Sequence, residues 1–326
     1  MLYKNVSENP YIKIFQECDF SKYTLFYNKW VFLKFILTRD KKDKLIIHGN
    51  DDVKFSMQVN LLFLIFRKDL LSRTSLICWG NNDFLRGAKL LTKLTLGLIR
   101  DWTYNRYNRI LTLTQGDYKQ VKLLYPKAKV QLLPYWSTKK HNLDLSHKHH
   151  YEDSNKTVVM ISHSGWPEND HLSSFQLIAK FVPNVSVICP LCYGDANYIE
   201  KVITAGQDYF GHDFYYFTDL MPREDYDNLL KTIDVYISAS KRQTGLSAIY
   251  GAMDGGAKVF VTGNLLESLK DDGYIVFSID ALDKMIFKDF NRPLDILSAQ
   301  SNVDQYNRTH FDGRAFIEGW RTLYED

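Results

Sequence analysis

Several things are scarce in this 326-residue sequence, and each scarcity narrows its function. It has only four cysteines (Cys18, Cys78, Cys189 and Cys192), too few and too scattered for a disulfide framework, so a reducing, cytoplasmic compartment is expected. The formal net charge is only +3, which leaves no broad basic field for nucleic acid. No apolar run reaches the roughly 18 residues that a membrane span requires. Asn5, Glu8 and Lys13 interrupt the opening stretch, so a secretory leader is not expected. No G-x-G-x-x-G follows the first strand-like segment with an acidic residue about 20 positions on, which disfavours a dehydrogenase. No Asp-x-Asp pair closes a strand convincingly, since Asp51-Asp52 follows His48-Gly49 in the first half. Neither a metal ion nor a cofactor is therefore expected. Cys189-Pro190-Leu191-Cys192 has redox spacing but ends an apolar strand, where packing is the expected role. The His147-Lys148-His149-His150 run lies in a polar stretch and reads as solvated linker.

What is present is a globular composition, 45% hydrophobic and 24% charged, with 14% aromatic residues. The first half alternates strands (Lys44–His48, Ser75–Cys78, Ile110–Thr114, Val130–Leu133) with helices (Val53–Leu71, Tyr118–Leu124). The second half repeats this. Its strands are Thr157–Ile161, Val185–Cys189, Phe214–Phe217, Val235–Ser238, Lys258–Thr262 and Tyr274–Phe277. Its helices are His171–Phe181, Ala196–Ala205, Arg223–Thr232, Leu246–Asp254 and Leu282–Phe287, and Arg314–Tyr324 closes the chain. Strictly alternating elements imply an α/β protein with parallel sheets covered on both faces. The length suits two doubly wound domains with a cleft between them, an N-terminal one over residues 1–140 and a C-terminal one over 156–310. A linker over 141–155 would join them, and a terminal helix over 311–326 would pack back on the first domain.

Doubly wound sheets bind ligands beyond the carboxyl ends of their strands, so the residues there carry the chemistry. Arg242-Gln243-Thr244-Gly245 precedes a small-residue helix, and a helix N-terminus offers free N–H groups and a positive dipole end to phosphate. Ser162-His163-Ser164-Gly165 is a second phosphate-friendly turn, and Pro190 with Tyr193 offers an aromatic face for a base. In the first half, His48 and Asp83 are candidate bases for an acceptor hydroxyl, and Trp79-Gly80-Asn81-Asn82 stand where sugar hydroxyls would be held. As ordinary structure, His48 would be a strand-end histidine bonded to backbone and Asp83 a helix cap. Residues 85–109 carry Arg86, Lys89, Lys93, Arg100, Arg106 and Arg109 against one acid, Asp101, with Trp102, Tyr104 and Tyr107 near the end. That pattern fits an amphipathic helix lying on an anionic membrane face, and fits equally a surface helix with snorkelling cations.

With these residues in view, the chain resembles the 4-acetamido-4,6-dideoxygalactose (N-acetylfucosamine) transferases of bacterial surface-polysaccharide assembly, glycosyltransferase family 56. The resemblance spans roughly residues 45–325. It rests on His48-Gly49, Trp79-Gly80, Thr114-Gln115-Gly116-Asp117, Ser164-Gly165 with Asn169 and His171, Pro190 with Tyr193, Tyr198-Ile199-Glu200, Ala205-Gly206, Tyr226, Leu229-Leu230, Asp234, Arg242-Gln243-Thr244-Gly245 and Gly319-Trp320. Two departures stand out: the carboxylate of Asp83 falls one position late, and Trp166-Pro167-Glu168 differs from the family pattern. The resemblance implies a metal-independent GT-B enzyme on the inner face of the cytoplasmic membrane. It would move a deoxy or amino-deoxy sugar from a dTDP donor to an undecaprenyl-diphosphate-linked or oligosaccharide acceptor of O-antigen or enterobacterial common antigen type. Ser164, Gly165, Arg242, Gln243, Thr244 and Gly245 would then hold the diphosphate, and Asn169, His171, Pro190 and Tyr193 the nucleotide and sugar. An epimerase on the same architecture, or a non-catalytic sugar-nucleotide or lipid-glycan binding subunit, is the alternative.

Overall fold

The computed structural model describes residues 34, 36–38, 44–48, 53–78, 90–134, 137, 139–147, 156–240 and 243–311. The chain divides into two compact units. One comprises Met1–Leu113 with Asp117–Leu132, the other Thr114–Gly116 with Leu133–Asp326.

The first unit is a four-stranded parallel sheet in the order β1-β2-β3-β4 (Leu45–His48, Thr74–Cys78, Arg109–Thr112, Val130–Leu132). Its helices are α1 (Val53–Ile65), α2 (Lys68–Leu71), α3 (Leu90–Tyr104) and α4 (Gln115–Leu124). The apolar run 53–71 is not one helix. The backbone leaves helical geometry at Arg67 (φ −135°, ψ 47°), whose guanidinium is held by both carboxylate oxygens of Asp69 (3.1 and 3.0 Å) and by the carbonyl of Ile36. The core gathers Ile47, Phe63, Leu76, Ile110 and Tyr125 with Tyr104 and Tyr107. These two tyrosines are therefore core residues rather than interfacial anchors. The Tyr107 hydroxyl and the Thr103 hydroxyl both donate to Asn60 Oδ1 (3.1 and 3.2 Å), which satisfies the buried amide oxygen inside the unit.

The second unit is a six-stranded parallel sheet in the order β10-β9-β8-β5-β6-β7. The strands are β5 (Thr157–Ile161), β6 (Val185–Pro190), β7 (Phe214–Phe217), β8 (Val235–Ser238), β9 (Lys258–Val261) and β10 (Phe277–Ser278). Between and after them run α5 (His171–Ile178), α6 (Ala196–Phe210), α7 (Arg223–Thr232), α8 (Leu246–Asp254), α9 (Gly263–Asp271), α10 (Ala281–Lys284), α11 (Phe287–Asn291) and α12 (Ile296–Tyr306). Alternate residues of β5 serve opposite faces. Val159 and Ile161 pack with Phe175, Val202 and Phe290, whereas Val158 and Met160 pack with Leu230, Ala252 and Val259. Burial on both faces explains why these strands read as unbroken apolar runs.

Four further elements differ from the sequence reading. The stretch expected as strand over 274–277 pairs only at Phe277 and Ser278, because Asn302 captures both backbone groups of Ile275 (2.7 and 3.1 Å) and stands in for the ladder. The helix expected at 282–287 is interrupted by extended Met285. Helices α9 and α12 were not expected. The second is capped by Asp295, whose carboxylate accepts from Ser298 N–H at 2.9 Å.

The described part of the linker is docked rather than solvated. Lys139 pairs with Asp227 (2.7 Å), His141 Nδ1 lies 2.9 Å from Asp254, and the His141 ring lies on Tyr306 with centroids 3.7 Å apart. Asn307 donates to the His141 carbonyl and accepts from its N–H. Asp144 bonds Ser146 and Lys231, in that order the main causes that hold its carboxyl far below the usual range. Burial pushes the Asp254 carboxyl up, against the pull of His141. Residues 148–155, with most of the histidine run, and the expected helix at 314–324 lie outside the described residues.

Candidate functional site

β5 and β8 lie side by side at the centre of the second sheet, and their onward connections leave to opposite sides, β5 toward β6 and β8 toward β9. This is the topological switch point at which open α/β sheets take their ligands. The chain leaves β5 through Ser162 at φ +60°, held by an N–H donated to the Ile237 carbonyl at 2.8 Å. A non-glycine residue there costs on the order of 1 kcal/mol or more, and the turn it enforces aims the next residues over the strand ends. Ser162, after β5, and Ser238, at the end of β8, are fully buried, and neither hydroxyl has a hydrogen-bond partner within the protein. The same is true of His163 Nδ1. Each such orphan costs roughly 1–3 kcal/mol unless water or a ligand meets it, so three at one switch point make it the candidate site.

The N-terminus of α8 closes the site. Gly245 caps it at φ +74°, and no side chain caps it. A Cβ on Gly245 would lie 2.5 Å from His163 Nδ1, so glycine answers both the left-handed backbone and the approach of the imidazole. Gln243 Nε2 donates to Ser268 Oγ on α9 at 3.2 Å, and Thr244 Oγ1 lies 3.2 Å from Ser240 Oγ. These bonds tie the turn before α8 to its surroundings.

A second wall comes from the loops after β5 and β6. Gly165 N–H donates to the Tyr193 carbonyl (2.8 Å), and Asp195 N–H to the Gly165 carbonyl (3.1 Å). A Cβ on Gly165 would meet Ile199 at 2.2 Å, and one on Gly194 (φ +148°) would meet the Gly165 carbonyl at 2.2 Å. Only two glycines allow these loops to touch. Ser164 is committed to Asn169, whose amide donates to its Oγ (2.9 Å) and its carbonyl (2.7 Å), so both residues brace the loop. Tyr193 is half exposed, with its ring centroid 6.5 Å from that of His163. Pro190 ends β6, opposite Phe217. His171 opens α5 fully buried, donating its backbone N–H to Tyr198 Oη (3.0 Å). Its Nδ1 lies 3.4 Å from Tyr198 Oη, and its Nε2, like His163 Nδ1, is buried without a partner within the protein.

Burial holds both histidines at about 4, with His163 adding to the effect on His171. An imidazole depressed on folding contributes stability fully above its unfolded value of about 6.5 and loses it as pH falls toward the folded value. Acidification from about pH 6.5 to pH 4 is therefore expected to destabilise the protein by on the order of 3 kcal/mol per histidine. Urea unfolding across that window should show the loss, and His163→Gln should remove about half of it, leaving the share of His171.

His48 closes β1 opposite Ile77, and its side chain lies outside the described residues, as do Trp79, Gly80, Asn81, Asn82, Asp83 and Arg242. Of the expected site, the second-unit residues other than Arg242 share one sheet end. Sequence reasoning placed Ser162 and His163 in a phosphate-friendly turn without singling out either side chain, and gave no role to Ser238. The left-handed Ser162 leaves no sequence signal, but His163 stood within a turn already singled out. The Cys192 thiol donates to the Asp219 carbonyl (2.9 Å), and burial raises both Cys189 and Cys192, which suits packing rather than thiolate chemistry. Among the described residues no group of three His, Cys, Asp or Glu side chains is placed to hold a metal.

The family model for "4-alpha-L-fucosyltransferase glycosyl transferase group 56" matches residues 5–325. A search of curated proteins returned no match. Among solved structures, sucrose-phosphate synthase from Thermosynechococcus elongatus superposes with a TM-score of 0.66 at 11% identity, over 86% of this chain and 74% of that one. A UDP-forming alpha,alpha-trehalose-phosphate synthase from Burkholderia xenovorans gives 0.65 at 9% identity, over 91% and 78%. TarM gives 0.61 at 13% identity, over 91% and 58%. At these identities the likeness shows a shared GT-B fold.

Proposed function

Because the chain belongs to glycosyl transferase group 56, the 4-alpha-L-fucosyltransferase family, and is thus a glycosyltransferase, we propose that it moves a deoxy or amino-deoxy sugar from a thymidine diphosphate donor to a lipid-linked or polysaccharide acceptor of a bacterial surface glycan. The observation that carries the donor half is the convergence of the α8 N-terminus with three unpartnered polar atoms at the β5/β8 switch point. The donor's diphosphate would lie on that N-terminus, with Gln243, Thr244 and Gly245 beneath it and Arg242 facing the charge that grows as the nucleoside diphosphate leaves. Tyr193 would offer its face to the base, while Ser164, Gly165, Asn169 and His171 hold the wall in place. The acceptor is assigned to the first unit, where His48 or Asp83 would take the hydroxyl proton and Trp79, Gly80, Asn81 and Asn82 would hold the acceptor sugar. This chemistry asks for no metal or cofactor.

A membrane-bound acceptor is supported by α3, which presents Leu94 and Leu98, 59% and 74% exposed and one turn apart. Arg106 and Lys68 lie 4.3 and 5.8 Å from the Trp102 ring centroid on the same unit. No helix among the described residues is long and apolar enough to cross a membrane. The test is a thermal-shift screen of dTDP-, UDP- and GDP-sugars, followed by sedimentation with phosphatidylglycerol vesicles. The reading expects a selective shift with one nucleotide and co-sedimentation that salt weakens. No shift with any sugar nucleotide would overturn the donor site, and nucleotide release on adding a glycolipid extract would dismiss a merely binding role.

A further inference from the structure

Among the described residues, His163 is the titratable side chain whose ring lies directly against the α8 N-terminus. Its surroundings make little sense for the empty protein. Nδ1 is buried without a partner, and the face of the ring at Nδ1 packs on Gly245 at the positive end of a nine-residue helix. The fully buried, unpartnered hydroxyls of Ser162 and Ser238 end the same two strands. The other described titratable groups recorded around it are His171 on α5, a neighbouring base, Asp170 next to His171, and Tyr193 from the loop after β6. No described carboxylate is recorded in contact with the His163 ring.

Resting on the donor-site reading above, we propose that His163 is a ligand of the donor diphosphate that binds it as an imidazolium, so that the sugar nucleotide enters together with one proton from solvent. In the empty site the imidazole is neutral, for two reasons. Burial disfavours the cation, and the α8 dipole points its positive end at the ring. A diphosphate on the same N-terminus reverses the balance, because an anion within about 4–6 Å favours the charged form. The ring then has an anion to match the N–H that the protein leaves unpaired. The α8 amides and His163 thus neutralise one ligand from two sides. A neutral ring would leave part of the diphosphate charge unmatched in a buried setting.

The sign of the linkage follows. A group protonated in the complex and neutral in the free protein makes binding tighter as pH falls, by up to tenfold per pH unit between the two titration points. Intact sugar nucleotides suit the test because their diphosphate is doubly esterified and has no group of its own that titrates between pH 5 and 8. Calorimetric titration of the whole protein with dTDP-glucose and with UDP-glucose at pH 6.5, in two buffers of different ionisation enthalpy, counts the protons directly. The expected result is an uptake approaching one proton for whichever nucleotide binds, with affinity rising as pH falls from 7.5 to 6. His163→Gln should bind more weakly, with proton uptake near zero and a flat pH profile. Saturable binding without proton uptake by the unaltered protein would overturn the proposal while leaving the donor site standing. Uptake unchanged in His163→Gln would move the proton elsewhere and overturn it equally. Should that variant fail to fold, the proton count of the unaltered protein still decides. No binding of either nucleotide would remove the donor site and this inference together.

Discussion

Thr244→Glu is expected to abolish measurable binding of a sugar nucleotide while leaving the melting temperature within about 2 °C of the parent. Thr244 is only partly buried, so a longer side chain finds room. It sits one residue before the glycine that caps α8, where the helix end attracts anions. A carboxylate there would stand within about 5 Å of the bound diphosphate. At an effective dielectric near 20, two unit charges at that distance repel by about 3 kcal/mol, more than a hundredfold in affinity for each unit of diphosphate charge. The neutral Thr244→Gln should keep most of the affinity, which separates charge from bulk. Calorimetry with dTDP-glucose on both variants reads the result, and glutamate binding as tightly as threonine would remove the diphosphate from this helix.

Phe175→Ala is expected to cost about 3–5 kcal/mol of stability in the second unit, the range for emptying a buried aromatic site. Phe175 is fully buried on α5, and its ring meets Phe210 at 5.4 Å, Phe214 at 5.7 Å and Tyr209 at 6.3 Å. One side chain thereby joins α5 to α6 and β7, and α5 opens with His171 at the back of the site. Donor affinity should fall along with stability, because the loops on either side of α5 and α6 lose their common support. Urea unfolding followed through the aromatic signal measures the cost. A loss below about 1 kcal/mol would mean that the cluster closes over the cavity. The contrast with Thr244→Glu is diagnostic, since one removes binding with the fold intact and the other removes support from both.

Much of this architecture was legible before any coordinates. Strands buried on both faces are short, apolar and rich in β-branched residues, and β5 and β8 fall at the residues their composition marks, as does the aromatic edge strand β7. The residues beyond their ends, Ser164 and Gly165, Tyr193, and Gln243 to Gly245, could be named because a parallel α/β sheet puts ligands there whatever the sequence between. Local chemistry misled where a distant side chain intervened. Asn302 took the backbone of Ile275 from the sheet, Arg67 with Asp69 and Ile36 broke the first long helix, and Asp227, Asp254 and Asn307 drew the linker onto the second unit. In the basic stretch at 85–109, amphipathic spacing could not tell which aromatic residues face inward, and Tyr104 and Tyr107 do.

The sequence by itself determined that this is a parallel α/β chain with a polar, glycine-ended turn before a helix in its second half, since hydrophobic period and turn residues act over a few positions. Only the tertiary structure decided that β8 lies beside β5, that Ser162 turns left-handed after the strand, and that Gly245 meets the ring of His163. Those contacts join residues about eighty positions apart, and which of many apolar strands become neighbours is settled by packing the whole sheet at once.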